Sequence, residues 1–108
     1  MLRTMLRFDI REGAADDLLA LFRERDILEM SVAQPGCLSS EFCVAEDGSH
    51  VIVTATWEDE DAYARWTSRT DRGDHMEAIN RHLRAPMTAA TQGGRYRVVH
   101  APKGSQPA

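Results

Sequence analysis

Cysteine and lysine are scarce in this chain, and each shortage excludes something. Two cysteines, Cys37 and Cys43, cannot make the multi-bridge framework on which small secreted domains depend. No Cys-x-x-Cys pair and no His-Glu-x-x-His pattern occurs, so nothing reads as a zinc site. A bridge between the two cysteines is allowed, but a reducing compartment and strand geometry favour free thiols. Lys103 is the single lysine, and the arginines are dispersed. With a net charge of -4, that argues against nucleic acid, which needs a concentrated basic surface. No apolar run approaches bilayer length. Met1 to Ile10 carries two arginines and an aspartate, which is no secretory leader, so the expectation is a cytoplasmic protein without a membrane partner.

What is present fits one small domain. The 108 residues hold one modest core, and 43% hydrophobic and 28% charged residues are ordinary for a globular chain. Leu2 to Ile10 alternates as a strand, with Leu6, Phe8 and Ile10 on one face. A helix is expected from Ala14 to Ala33, opened by Asp16 and Asp17 and striped by Leu18, Leu21, Phe22, Leu28 and Val32. Pro35-Gly36 stops it. Leu38 to Ala45 reads as a strand with Leu38, Ser40, Phe42 and Val44 on one face. An Asp47-Gly48 hairpin follows, then a β-branched strand from His50 to Trp57. Asp59 caps a helix from Glu60 to Ser68, Thr70 to Gly73 breaks it, and another helix runs from Asp74 to Leu83. The last strand falls within Thr88 to Val99, interrupted near Gly93-Gly94, with Tyr96, Val98 and His100 on one face. Residues 1–100 form the domain, and Ala101 to Ala108 has the composition of a disordered tail.

Two βαβ-like halves around an antiparallel hairpin describe an α+β, ferredoxin-like split βαβ fold. Helices cover one face of such a sheet. The third strand is apolar on both sides, with Val51, Val53, Ala55 and Trp57 on one and Ile52, Thr54 and Thr56 on the other. A face that apolar calls for a second subunit, so a homodimer through the sheet face is expected.

Two segments carry a family resemblance. One is the turn Gln34-Pro35-Gly36-Cys37. The other runs from Val53 to Trp66 and reads Val-Thr-Ala-Thr-Trp-Glu-Asp-Glu-Asp-Ala-Tyr-Ala-Arg-Trp. Together they resemble the antibiotic biosynthesis monooxygenase domain, over about Leu2 to His100. The resemblance implies a dimeric α+β barrel and two activities. The first is a cofactor-independent monooxygenase that oxidises an aromatic polyketide-type phenol or anthrone with O2. It is matched at Trp57 and Tyr63, while the polar residue often found four positions before that tryptophan is Val53 here. The second is heme degradation. Trp66 followed nine residues later by His75 matches that branch's tryptophan and heme-ligating histidine, and Arg25 matches its propionate-binding arginine. The asparagine that branch carries on its first strand is absent, Leu6 or Arg7 standing there.

The candidate site is therefore Trp57, Tyr63, Trp66 and His75 for chemistry, with Arg25, Phe22, Val53 and Met76 for substrate. No cofactor is expected on the first reading, and heme through His75 on the second. A dimeric module that binds a small aromatic without reacting is a third. Each residue also has a plain structural reading: Trp57 and Tyr63 as packing, and His75 as a surface histidine beside Asp74. Arg25 would pair with Asp26 or Glu29, Met30 and Met76 would be flexible filler, and Glu58 to Asp61 a helix cap.

Overall fold

The computed structural model describes residues 1–69, 72–86, 93–102 and 104, and of residues 72–74 the backbone alone. Eight elements follow in order: β1 (Leu2–Asp9), α1 (Ala15–Glu24), α2 (Ile27–Val32), β2 (Cys37–Val44), β3 (His50–Trp57), α3 (Glu60–Thr67), α4 (Arg72–Asn80) and β4 (Gly94–Arg97). The strands form one antiparallel sheet in the order β2-β3-β1-β4. β3 thus lies between β1 and β2, the two strands that α1 and α2 connect, which is the ferredoxin-like arrangement read from the pattern.

Strand alternation decides which residues meet the helices. Leu2, Thr4, Leu6 and Phe8 of β1 pair with Trp57, Ala55, Val53 and Val51 of β3, and this row forms the helix side of the sheet. Arg3, Met5 and Arg7 lie on the open side with Thr56, Thr54 and Ile52. β2 departs from simple alternation. A bulge between Cys37 and Ser39 puts Cys37 opposite Trp57, while Ser40, Phe42 and Val44 face Ala55, Val53 and Val51. Leu38 is the extra residue and stays 40% exposed, so it does not share the buried face expected for it.

The first helix is also interrupted. Asp26 adopts a left-handed conformation at φ 52, ending α1 and starting α2 on a new axis. Aspartate tolerates that conformation better than most residues. The break rotates the following turn, burying Ile27 and Ser31 and leaving Val32, expected on the apolar stripe, 45% exposed. α3 starts as read from sequence, with Asp59 Oδ1 accepting from the Ala62 amide at 2.9 Å. α4 spans Arg72 to Asn80, and Leu83 beyond it bridges to Ile10. β4 spans Gly94 to Arg97, so Val98 and Val99, expected in the last strand, lie beyond its end, and the expected portion from Thr88 to Gln92 lies outside the described residues. So do Thr70 and Asp71 of the expected helix break, and Lys103 and residues 105–108 of the expected tail.

Gly36 holds the α2–β2 turn at φ +86, and a Cβ there would lie 2.6 Å from the Ala62 Cβ on α3. Its carbonyl also accepts from the Glu58 amide at 2.8 Å, so this turn sets how closely α3 approaches β2. Gly36→Ala is expected to lower stability by about 2–5 kcal/mol, combining left-handed strain with a collision against a backbone-anchored methyl. Gly48, at φ +74 with open space around it, isolates the strain alone. Gly48→Ala should therefore lose clearly less in thermal unfolding. Equal losses would place no weight on the Gly36–Ala62 contact.

Cys37 and Cys43 are both free thiols. Six residues of extended chain separate them by about 20 Å, far beyond disulfide reach. Burial pushes the Cys37 thiol up, and contacts with Ser31 and the Ser39 carbonyl oppose that only in part. Cys43 is exposed. Only thiolate reacts, so an alkylating reagent near neutral pH should modify Cys43 first, with Cys37 at least about tenfold slower, as read by mass spectrometry. Faster labelling of Cys37 would contradict its placement.

Candidate active site

The buried apolar residues fall into two clusters rather than one. Phe8, Leu18, Phe22, Val51, Val53, Ile79 and Leu83 belong to the larger. Leu2, Ala55, Trp57, Ala62 and Trp66 make the smaller, with Tyr63 and Cys37 packed on it. A cavity of about 70 Å³ lies in the seam, drawing its walls from both. The sheet contributes Thr4, Leu6, Phe8, Ser40, Val53, Ala55 and Trp57; the helices contribute Phe22, Ile27, Leu28, Ser31, Tyr63, Trp66, His75, Met76 and Ile79. None of these is lysine, arginine, aspartate or glutamate. This described lining favours a largely apolar, uncharged occupant, because an unpaired charge brought into such surroundings costs several kcal/mol.

The polar atoms are few and placed. Trp57 is 1% exposed, and its indole Nε1–H donates to Thr4 Oγ1 at 3.3 Å. Thr4 itself is buried on the helix side of β1, and having accepted from the indole it keeps its own hydroxyl hydrogen to donate. Ser40 Oγ donates to the Thr54 carbonyl at 3.1 Å, and Ser31 Oγ lies 3.9 Å from Cys37 Sγ. His75 Nδ1 is buried with no hydrogen-bond partner. Towards β4 the wall is layered. Trp57 and Tyr63 have ring centroids 5.5 Å apart, and the Arg95 guanidinium lies 5.2 Å from the Tyr63 centroid. Arg95 in turn reaches Glu60 at 4.0 Å, which keeps its charge on the outer side of the tyrosine.

Of the residues singled out from sequence, Trp57, Tyr63, Trp66, His75, Phe22, Val53 and Met76 all line this cavity. Arg25 does not. It caps the C-terminus of α1 in an exposed position, where the α1–α2 break carries it away from the seam. Thr4, Ser31 and Ser40 were missed. Thr4 left a trace, being the one polar residue in the row Leu2, Thr4, Leu6, Phe8. Ser31 left none, since its burial follows from the αL turn at Asp26.

Heme does not fit the residues present. Among the described residues no cation lines the cavity to meet two propionates, and Arg25 is elsewhere. Among the described residues, no group of three His, Cys, Asp or Glu side chains could hold a metal ion. No helix among them is long and apolar enough to cross a membrane.

The sequence model of the antibiotic biosynthesis monooxygenase family matches residues 1–82. The chain belongs to that family. Solved structures agree on the fold. One antibiotic biosynthesis monooxygenase superposes with a TM-score of 0.69 at 23% identity, covering 94% of this chain and 100% of its own. SnoaB from Streptomyces nogalater, a cofactor-independent oxygenase, gives 0.72 at 18% identity, with 93% and 94% covered. Rv0793 from Mycobacterium tuberculosis gives 0.69 at 16% identity, with 96% and 98% covered. No curated protein matches the chain. At these identities the likeness to solved structures speaks for the family's fold, and the chemistry must be argued from the cavity.

Proposed function

We propose that this protein is a cytoplasmic, cofactor-independent monooxygenase of secondary metabolism that oxidises an aromatic polyketide-type phenol or anthrone with O2. The observation that carries the reading is an aromatic-walled cavity that no charged residue lines among those described, its few polar groups grouped on Thr4, Ser31, Ser40, Tyr63 and His75. Such a site selects a flat, neutral arene with one or two oxygens. SnoaB, of the same fold, is itself a cofactor-independent oxygenase, which is consistent with a substrate that supplies its own electrons.

The chemistry follows from the substrate. Once an anthrone loses a proton to its enolate, the electron-rich ring passes one electron to O2, and the two radicals combine into a C–O bond. The hydroperoxide then expels water to leave a second carbonyl. The methylene carbon is oxidised, and O2 supplies one atom to the ketone and one to water. The protein's share is to favour the anion, hold it against a hydroxyl donor such as Thr4, and exclude water from the intermediate. Trp57 and Trp66 are the walls for the ring, with Phe22, Val53 and Met76 completing the substrate contacts.

At about 70 Å³ the cavity is smaller than a fused aromatic system, so a ring enters only as half-buried side chains move aside. Leu28 and Met76 are half-buried lining residues, and methionine is the side chain that rearranges at least cost.

The reading includes a homodimer. Support comes from the open side of the sheet, where Met5 and Ile52 are half-buried beside Arg3, Arg7 and Glu41. A second copy would cover the apolar pair and offer opposite charges across the interface. Oxygen uptake with anthrone, monitored by electrode against a protein-free blank, tests the activity. Saturable uptake is expected, and binding of the arene without uptake would make the protein a non-catalytic module instead.

A further inference from the structure

Among the described residues two buried side-chain polar atoms lack a hydrogen-bond partner, Ser39 Oγ and His75 Nδ1, and of these two residues His75 lines the cavity. His75 is half-buried on α4 and lines the cavity, yet its Nδ1 is sealed from solvent and meets no donor or acceptor. A buried polar nitrogen without a partner is costly, and a native structure that keeps one calls for a reason, of which a catalytic role is one. Imidazole with its proton on Nε2 presents Nδ1 as a bare acceptor. Ser40 spends its hydrogen on the Thr54 carbonyl, and Ser31 sits against Cys37. Thr4, which accepts the Trp57 indole proton, keeps its hydroxyl hydrogen to donate, and its oxygen is far too weak a base to take a proton from a phenol.

We propose that His75 is the base of this site: its Nδ1 accepts the proton from an acidic hydroxyl of the bound arene, in the phenol or enol form. The O–H bond breaks, its electron pair stays on the substrate oxygen, and a new N–H bond makes the imidazolium. The cation then lies beside the anion it created, and the described lining adds no other charge to screen the pair. After oxygen has combined with the ring, the same N–H gives its proton to the peroxide anion and His75 is neutral again. The resulting hydroperoxide then loses its C–H hydrogen as its O–O bond breaks, so the ring carbon becomes a carbonyl and one water leaves. Thr4 donates to the other oxygen of the substrate. The ligand class narrows accordingly, to uncharged arenes that carry a hydroxyl more acidic than an alcohol. A carboxylated arene is disfavoured, because the described lining offers no cation to meet it.

The described groups that line the cavity with His75 allow this assignment. The sheet floor offers Thr4, Val53 and Ala55, and the α1–α2 side Phe22, Leu28 and Ser31, none of which titrates near neutrality. From α3 the titratable neighbour along the cavity is Tyr63, whose outer face is covered by Arg95, itself paired to Glu60. General-base assistance of this kind is worth about 10²–10⁴-fold in rate.

The proposal rests on the oxygenase reading for the fate of the anion, and the test separates the two. Dithranol, a hydroxylated anthrone, is added to the protein under strict anaerobiosis, at a pH where the free compound is neutral, and its absorption spectrum is followed. Wild type should produce the anion spectrum in proportion to bound ligand, and His75→Gln should bind dithranol in its neutral form. Admitting air should then give turnover at least about 100-fold slower in His75→Gln, and added imidazole should restore His75→Ala. Anion formation without oxygen uptake would uphold His75 as the base and remove the oxygenase reading. Full-rate uptake by a folded His75→Gln would overturn the proposal and leave that reading in place. Neutral dithranol bound to wild type, or an anion lost in Tyr63→Phe and kept in His75→Gln, would also overturn it, as would absence of any binding.

Discussion

Ala55→Leu is expected to abolish oxygen uptake with an anthrone, lowering kcat/KM by at least about 100-fold while leaving the protein folded. Ala55 lies in the middle of β3, between Thr4 on β1 and Ser40 on β2, and forms part of the cavity floor. The carbons that leucine adds have somewhere to go, because the helix side above Ala55 is the void itself. Overpacking a filled core costs about 1–3 kcal/mol, whereas filling an existing cavity removes most of that penalty. The thermal midpoint should therefore stay within a few degrees of wild type or rise. Thermal unfolding and an oxygen electrode, run on the same preparation, separate the outcomes. Unchanged activity would mean that the reaction takes place somewhere other than this seam.

Phe22→Ala should have the opposite profile, a loss of about 3–5 kcal/mol in unfolding free energy. Phe22 is 4% exposed and joins α1 to the sheet through two edge-on contacts, 6.3 Å to Phe8 and 5.1 Å to Phe42. Such pairs add about 0.5–1.5 kcal/mol each to the burial of the ring. A domain of this size has about 5–15 kcal/mol in all, so the variant should sit near the edge of folding. Because Phe22 also walls the cavity, removing it enlarges the site next to a weakened helix. Denaturant titration gives the number. A loss under about 1 kcal/mol would show that α1 is held chiefly by Leu18 and its neighbours.

The two variants differ because the core is divided. Phe22 belongs to the larger cluster and holds α1 to the sheet, so its loss is felt as stability. Ala55 belongs to the smaller one, at the seam, and its side chain is short enough to leave space.

Alternation made much of this legible before any coordinates. The row Val51, Val53, Ala55, Trp57 could be assigned to the helix side of β3, and Asp59 to the start of α3, because strand period and capping chemistry are local. Local rules also brought Trp57, Tyr63 and Trp66 together, since they sit at the end of one strand and on the helix that follows it directly. The misplacements come from single residues that shift the period. The bulge at Leu38 moves Cys37 to the helix side, and the left-handed Asp26 divides one expected helix into two. That second event puts Arg25 outside the site, buries Ser31 and exposes Val32. Neither residue announces its conformation: leucine is common in regular strands, and aspartate is common in helices' first turns as well as in αL positions. The unpartnered Nδ1 of His75 depends on what surrounds it in three dimensions, so no spacing rule could have found it.

The central claim is that this cavity binds a neutral arene and transfers one atom of O2 to it without help from metal or flavin. Isotope labelling tests that most directly: chelator-treated protein turns over an anthrone under ¹⁸O2, and mass spectrometry reads the product. The account predicts a quinone with one ¹⁸O, formed in step with one O2 consumed, and loss of that product in Ala55→Leu. Unlabelled quinone, or labelled quinone formed no faster than in the protein-free blank, would contradict it.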